Sequence, residues 1–508
     1  MSNLRMVENT FANLCRGGAA ALTIIVLPPF LVRTLSKDAY TTWLLILQLS
    51  TYVNLLDLGI QTVIGQSVAY YNELGDQRQR NRIISSAIAI LTGSAVVALV
   101  GISLIATQLV NLFPDMPIEL QQDAQLALVL VGGSLALSLP FSVFSAVLLG
   151  LYRNDIPAWI VGIGKIFGGI IVVLIANLTH NIVLMAVSIG AINLATGFWQ
   201  FVAYKKIVEH SYQISTKLVS KQSLIEIRDS CLALSVSNFG VLIVSGLDTI
   251  IIGFFDYKSI AYYALAATLT NFVFGISSAM LSTIVPVASS MAAKSTPEKL
   301  GELVISTTKY SVILMIAINL PLLLLSKSVI TVWVGADYAD QTSHLFELLI
   351  TANFVRQIGS PYFMIAIGCG EHKKIILSPL VEAFTNLFFS VLLTRQIGAS
   401  GVAIGTIIGG VANIAMHFTY NLPRTTKILI SNKSDLMIAI VKPIVLVVLP
   451  VAILAILVNT QTLPTSIWIS VLMILAGWSI LWNYGLNHQD RSMLTAAIER
   501  AVNSKQLQ

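Results

Sequence analysis

The chain has 508 residues, of which 56% are apolar and 11% are charged, whereas roughly 25% of the residues in a typical soluble domain are charged. Its mean hydropathy is +0.82, and apolar runs of about 20 residues, enough helix to cross a bilayer core, recur along its whole length. These values exclude a string of soluble domains and predict an all-α polytopic membrane protein. The N-terminal residues lack the features of a cleavable signal peptide, so the first span is expected to direct insertion.

About fourteen segments are long enough to be transmembrane helices. In chain order they are 11–34, 39–70, 83–109, 124–149, 156–177, 181–204, 231–255, 260–291, 306–334, 343–367, 375–396, 400–421, 436–459 and 464–485.

The basic residues orient these spans. Most of the 30 lysine and arginine residues lie in the N-terminal segment and in every second loop after it. Such residues prefer the cytoplasmic side, so both termini are predicted to be cytoplasmic. The same distribution explains the net charge of +6 as a consequence of topology, and no nucleic-acid partner is expected. The three cysteines have neither metal-site nor disulfide spacing, and we predict no metal and no cofactor.

An internal repeat is suggested when the sequence is shifted by 220 residues against itself. Gly150 then falls on Gly370 and Asn193 on Asn413, and spans and loops coincide. The alternative is that polytopic helices coincide by chance at some offset. A real repeat gives two parallel six-helix halves, an arrangement found in transporters, with the substrate site between the halves. The predicted domains are 1–206, a cytoplasmic linker at 207–230, a second half at 231–426, and two further helices with a cytoplasmic tail at 427–508.

The early region carries a distinctive pattern. Residues 34–76 read "TLSKDAYTTWLLILQLSTYVNLLDLGIQTVIGQSVAYYNELGD". An aromatic residue leads into a span with Leu-Asp-Leu-Gly, then Ala-x-Tyr and a Gly-Asp loop. This pattern resembles the O-antigen-type polysaccharide flippases of the multidrug/oligosaccharidyl-lipid/polysaccharide exporter superfamily. Many members have twelve spans, whereas this chain has about fourteen, as lipid II flippases do.

The resemblance implies a function, a location and a set of partners. It implies that the chain moves an undecaprenyl-diphosphate-linked oligosaccharide from the cytoplasmic to the periplasmic leaflet of a bacterial inner membrane. The expected partners are this lipid-linked substrate, the bilayer, and polysaccharide polymerase or chain-length machinery.

Charged residues at membrane depth are the candidates for substrate contact, because such residues are costly unless they face water or a partner. Lys165 is the first candidate for the phosphates, and Arg356 is the second because it can bind them through two parallel hydrogen bonds. Glu382 and Arg16 complete the predicted cavity residues. The alternatives are a salt bridge between Lys165 and Glu382, snorkelling of Lys165 or Arg16 to the interface, and a simple balance of Arg356 by Glu347.

A second set of residues is predicted to act in ion coupling or gating. Asp57 has no counterpart in the second half, and a buried carboxylate can exchange a proton near physiological pH. Its alternatives are a structural role, with Asn54 as an available neighbour, and direct contact with sugar. Asp248 has the same alternatives. Pro28 and Pro29 are expected to bend the first span, and Pro140, Pro286 and Pro361 are expected to kink theirs, either as packing kinks or as hinges.

Some motifs are absent. The sequence has no P-loop, since "GIGKI" at 162–166 lacks the required spacing and hydroxyl, and it shows no recognisable catalytic set. We therefore predict a secondary transporter that uses no nucleotide and is not an enzyme. The rival hypotheses are a multidrug/cation antiporter of the same superfamily and a membrane glycosyltransferase or polymerase, which should have longer extracytoplasmic loops.

Overall fold

The computed structural model describes residues 17–18, 23–208, 212–231, 246–457, 463–486, 491–492 and 495. Within these ranges the secondary structure is helical, with no strand. Eleven helices of the described part are long and apolar enough to cross a membrane. They correspond to all the predicted spans except the first, the seventh and the tenth. The all-α polytopic fold is therefore confirmed, whereas the count of fourteen is not.

The chain forms two compact units. Unit 1 comprises Met1–Thr268 and Thr394–Val402, and unit 2 comprises Leu269–Leu393 and Ala403–Gln508. The described helices of the part before Thr268 are α1 (Thr23–Thr34), α2 (Lys37–Thr51), α3 (Ile60–Glu73), α4 (Gln77–Leu112), α5 (Ile118–Ser138), α6 (Ser142–Gly150), α7 (Asp155–Thr179), α8 (Ile182–Ile207), α9 (221–231) and α10 (Asp248–Phe255).

The boundary at Thr268 falls inside the next helix. The remaining helices are α11 (Ile260–Ser282), α12 (Ile284–Lys294), α13 (Pro297–Leu324), α14 (Ser326–Val334), α15 (Ala336–Ile358), α16 (Ser360–Gly368), α17 (His372–Ile375), α18 (Leu377–Ile397), α19 (Ser400–Met416), α20 (Lys433–Leu457) and α21 (Leu463–Ile480). The two six-helix repeats and their domain boundaries stay predictions.

Several predicted spans are interrupted at or just before a proline. A 3₁₀ turn that contains Pro140 separates α5 from α6. The break between α11 and α12 lies three residues before Pro286, and α16 has Pro361 in its first turn. Proline lacks a backbone N–H and clashes with the preceding turn. These breaks therefore coincide with the kinks that the sequence predicts.

The predicted linker belongs to unit 1 and packs against helices of that unit. The Arg80 guanidinium lies 3.5 Å from the centre of the Tyr212 ring, and its Nη1 donates a hydrogen bond to Asn72 Oδ1 at 3.0 Å. The Tyr71 hydroxyl donates to Glu226 Oε1 at 3.0 Å. The described part of the linker is thus bonded to the ends of α3 and α4.

Candidate functional site

The second predicted span is a broken helix at its Leu-Asp-Leu-Gly motif. The α-helix α2 gives way to a 3₁₀ turn over Tyr52–Asp57. Leu58 (φ 53°) and Gly59 (φ 76°) then adopt left-handed backbone conformations before α3 begins at Ile60. Glycine accepts this conformation readily, whereas leucine does so at a cost of roughly 1–2 kcal/mol. The break therefore lies at the motif itself and does not involve a proline.

Asp57 occupies this break and is partly buried. Its carboxylate lies beside the backbone N–H groups of Gly59 and Gln61, where the first turn of α3 leaves donors unpaired. Its Oδ1 atom is buried and has no hydrogen-bond partner among the described atoms. Asn54, the neighbour that the sequence suggests, is exposed. A buried carboxylate oxygen without a donor can take a proton or a cation, and the role of Asp57 in coupling stays a prediction.

Asp248 is the first residue of α10. Its Oδ2 accepts a hydrogen bond of 2.6 Å from the Tyr263 hydroxyl on α11. The carbonyl oxygen of Gly246, two residues earlier, accepts hydrogen bonds from Gln48 Nε2 at 3.2 Å and from the Tyr52 hydroxyl. The end of α2 with the 3₁₀ turn that follows it, the start of α10 and the start of α11 are therefore joined around Asp248.

Lys165 lies near the middle of α7, about 15 Å from its start at 1.5 Å of rise per residue. Its side chain is exposed between exposed apolar neighbours such as Ile163 and Phe167. No acidic group within the described ranges pairs with it. A Cβ on the adjacent Gly164 would lie 2.7 Å from Thr196 Oγ1, so close packing against α8 fixes the rotation of α7.

Arg356 belongs to a three-residue polar centre in unit 2. Its Nε donates to Glu382 Oε1 at 2.6 Å, and Asn413 Nδ2 donates to Glu382 Oε2 at 2.6 Å. Glu347, the nearer partner in sequence, instead accepts a hydrogen bond from Ser326. Arg356 is therefore paired across helices α15 and α18, and Glu382 has both oxygens occupied by Arg356 and Asn413.

Glycines on α19 make this polar centre possible. A Cβ at Gly405 would lie 2.4 Å from Ser390 Oγ, and one at Gly409 would lie 2.9 Å from Asn386 Cβ. The backbones of α18 and α19 therefore approach closely, which brings Asn413 within reach of Glu382. A Cβ at Gly410 would lie 2.9 Å from Arg356 Cγ, so α19 also has room for the arginine stem.

The other predicted site residues lie in the first span. Arg16 is outside the described residues. The helix α1 continues through Pro28 and Pro29, which are both partly buried, so the described helix is not interrupted at these prolines. Their role as hinges stays a prediction.

Sequence reasoning overlooked two neutral partners of the predicted charges, namely Asn413 and Tyr263. A usable signal existed for Asn413, since the repeat offset aligns it with Asn193. Asn193 also makes an interhelical bond in its own half, where its Nδ2 donates to Ser134 Oγ at 3.0 Å. No comparable signal marked Tyr263.

Comparison with known proteins shows the fold. No protein-family model matches the sequence, and no curated protein is similar enough to be a relative. Among solved structures, the lipid II flippase MurJ in an inward closed conformation is 15% identical with a TM-score of 0.70, and the match covers 95% of this chain and 99% of that one.

Two further similar structures are described as transporters of the MOP superfamily. An inward-facing multidrug resistance MATE family transporter of the MOP superfamily is 15% identical with a TM-score of 0.63, covering 79% of this chain and 96% of its own. A MOP superfamily transporter from Pyrococcus furiosus, described as having a binding pocket of reverse polarity, is 15% identical with a TM-score of 0.52, covering 81% and 93%. This multi-pass membrane protein therefore has the fold shared by MurJ and MATE transporters.

Proposed function

We propose that the chain is a flippase that moves an undecaprenyl-diphosphate-linked oligosaccharide, such as an O-antigen repeat unit, from the cytoplasmic to the periplasmic leaflet by alternating access. The observation that carries the proposal is the match to the lipid II flippase, which extends over 95% of this chain. The Leu-Asp-Leu-Gly motif at residues 56–59 is part of the resemblance to polysaccharide flippases, and it favours a lipid-linked oligosaccharide as the substrate. We also propose that the chain lies in a bacterial inner membrane with both termini on the cytoplasmic side.

The intramembrane cations support a substrate that carries phosphate. Lys165 is exposed at the middle of a membrane helix, and the described residues supply it with no carboxylate. A cation in such a position costs about 2.5–3.5 kcal/mol on insertion scales unless it faces water or an anion. A diphosphate head group in a wet cavity would remove this cost. Lys165 is therefore the proposed main phosphate ligand, and Arg356 is the proposed second one.

The coupling residues of this proposal are Asp57 and Asp248. No nucleotide site is proposed, so the energy comes from an ion gradient, the membrane potential or the substrate gradient. The break at Asp57 supports coupling, because it leaves Oδ1 of the carboxylate buried and without a hydrogen-bond partner among the described atoms.

The experiment is a complementation assay in the bacterium that encodes the chain, with the gene deleted. Surface polysaccharide and the lipid-linked repeat unit on the cytoplasmic leaflet are measured together. Rescue is attempted with the wild type, Lys165→Ala, Asp57→Asn and the matched control Lys442→Ala. Lys442 is also an exposed lysine on a membrane helix, but it lies outside the proposed site.

The proposal expects loss of polysaccharide and accumulation of the lipid-linked unit on the inner leaflet. Wild type and Lys442→Ala should restore both, whereas Lys165→Ala and Asp57→Asn should not. Rescue by the wild type and all three variants would leave flipping in place and refute the residue assignments. Normal polysaccharide with raised sensitivity to cationic dyes would refute flipping and favour the antiporter, which the MATE-like fold also supports.

A further inference from the structure

The Arg356 guanidinium uses only one of its three nitrogens within the described structure. Nε is bonded to Glu382, and no hydrogen bond from Nη1 or Nη2 to a described residue is present. A buried nitrogen without a partner would be an unsatisfied buried donor, and neither Nη1 nor Nη2 is one. They therefore lie at the accessible surface of the protein, on the side of the guanidinium away from its stem.

The orientation of this guanidinium is fixed from three sides. Ile358, two residues further along the same helix, is buried in an apolar cluster with Val312 and Ile316. Residues two apart on a helix point to nearly opposite faces, so this burial turns Arg356 away from the cluster. Gly410 leaves room for the arginine stem, and Glu382 holds Nε. Since both carboxylate oxygens are occupied, the carboxylate itself has little freedom to rotate.

We infer that Glu382 and Asn413 are positioning residues that present Nη1 and Nη2 of Arg356 to the diphosphate of a lipid-linked substrate. This inference rests on the proposed function and adds a specificity device to it. The planar guanidinium can offer two parallel N–H donors to one phosphate, an arrangement that a lysine ammonium cannot reproduce. Asn413 acts through Glu382, and Glu382 acts through Arg356, so neither residue touches the phosphate.

The carboxylate has a second effect, because its charge opposes that of the ligand. The side chain of Glu382 is only 8% exposed, and that of Arg356 is 27% exposed, so water screens the pair incompletely. At a separation of roughly 7 Å and an effective dielectric near 20, repulsion between carboxylate and phosphate corresponds to about one to two orders of magnitude in affinity. Glu382 therefore weakens binding while it orients the arginine, which favours release of the head group after translocation.

The test is a binding titration of the purified full-length chain in detergent, followed by tryptophan fluorescence. The probes are farnesyl diphosphate, farnesol and inorganic pyrophosphate. The variants are Arg356→Ala, Arg356→Lys and Glu382→Gln. The matched control is Glu347→Gln, which also removes one carboxylate charge and lies on α15, the helix that carries Arg356. Thermal unfolding of each variant verifies that it is folded.

The inference expects opposite effects at the two members of the ion pair. Arg356→Ala and Arg356→Lys should weaken farnesyl diphosphate binding about tenfold or more, whereas Glu382→Gln should tighten it about tenfold. Glu347→Gln should leave binding unchanged. In the complementation assay, Glu382→Gln should slow polysaccharide export, because tighter binding delays release.

Three results would overturn the inference. Glu382→Gln could weaken binding as Arg356→Ala does, which would refute the claim that the charge of Glu382 opposes the ligand. Arg356→Ala could bind farnesyl diphosphate as the wild type does. Pyrophosphate could bind as tightly as farnesyl diphosphate, which would remove the assignment to a lipid head group. Since the titrations require no translocation, failure of the proposed flipping leaves a positive binding result intact, and the reverse also holds.

Discussion

A buried carboxylate in the turn between α16 and α17 offers a test of how unit 2 is held together. Glu371 is 4% exposed and accepts hydrogen bonds from Lys374 Nζ at 2.7 Å, from Thr426 Oγ1 at 2.9 Å and from the Thr426 backbone N–H at 3.0 Å. The Lys427 backbone N–H donates to its other oxygen at 3.3 Å. Two loops that are distant in sequence therefore converge on one carboxylate.

The perturbation is Glu371→Ala, which leaves one ammonium, one hydroxyl and two backbone N–H groups without this acceptor. Removal of one partner from a buried charged network costs about 3–5 kcal/mol. Lys374 is 38% exposed in its side chain, so water can partly replace its lost bond and the lower end of this range applies. Glu371→Gln keeps one acceptor oxygen but adds a donor that faces other donors, and we expect it to cost about 2 kcal/mol.

The assay is thermal unfolding in detergent, detected with a maleimide dye that fluoresces when it reacts with a thiol. Cys369 is 2% exposed and lies two residues from Glu371. In a background with Cys15→Ser and Cys231→Ser, dye reaction therefore reports the opening of this region. Glu302→Gln is the matched control, since Glu302 is exposed in the same unit. An unfolding temperature of Glu371→Ala equal to that of the wild type would refute the reasoning.

The pH dependence of stability follows from the direction in which folding shifts the pKa of the Glu371 carboxyl. Burial raises the pKa of the Glu371 carboxyl, but the hydrogen bonds from Lys374, Thr426 and Lys427 outweigh it and hold this pKa below its usual 4.5. A depressed folded-state pKa stabilises the protein above the unfolded value of about 4.3, and this stabilisation is lost as the pH falls through the folded value. The difference in unfolding temperature between wild type and Glu371→Gln should be constant from about pH 8 to 5 and should shrink below about pH 4.

Three further substitutions test a close helix contact, a strained backbone conformation and a stacked arginine. Gly301→Ala would place a Cβ 2.0 Å from the backbone oxygen of Leu429 and should lower the unfolding temperature strongly, whereas Gly275→Ala, with no atom within 4 Å, should not. Leu58→Gly should raise the free energy of unfolding by up to about 1 kcal/mol, as denaturant titration would measure, because relief of left-handed strain exceeds the entropy cost of glycine. Tyr212→Ala removes the ring on which an arginine stacks, and faster limited proteolysis of the predicted linker should follow.

Much of the fold was predictable from the sequence because it depends on hydropathy alone. Spans such as 83–109 and 156–177 are apolar over a full membrane thickness, and the structure contains them as Gln77–Leu112 and Asp155–Thr179. The predicted tenth span, 343–367, is not confirmed. Its first part lies in α15, which carries Asp337, Glu347 and Arg356 and is not one of the eleven helices that are long and apolar enough to cross a membrane. The break at Leu58 was not predicted, because the expected cause of a break was proline, and a left-handed leucine is unfavourable on local grounds.

The polar centre shows where sequence reasoning failed for the site. Both Arg356 and Glu382 were recognised as charges at membrane depth, but their pairing was not predicted. The distance between them depends on the rotations of α15 and α18, and these rotations are set by packing. Close approach of α18 to α19 requires glycine at 405 and 409, and only a three-dimensional arrangement reveals what those glycines face.

The intramembrane charges divide by whether folding alone explains them. Arg356, Asp248 and Glu347 each have a bonded partner of the same unit, so a structural account covers most of their cost in the membrane. Lys165 has no carboxylate partner within the described ranges, and Asp57 has one buried oxygen without a donor there. An unpaired charge at membrane depth is stable only next to water, an ion or a ligand. Among the predicted site residues, the physical case for function is therefore strongest at Lys165 and Asp57, while Arg356 qualifies only through the two nitrogens that its partner leaves free.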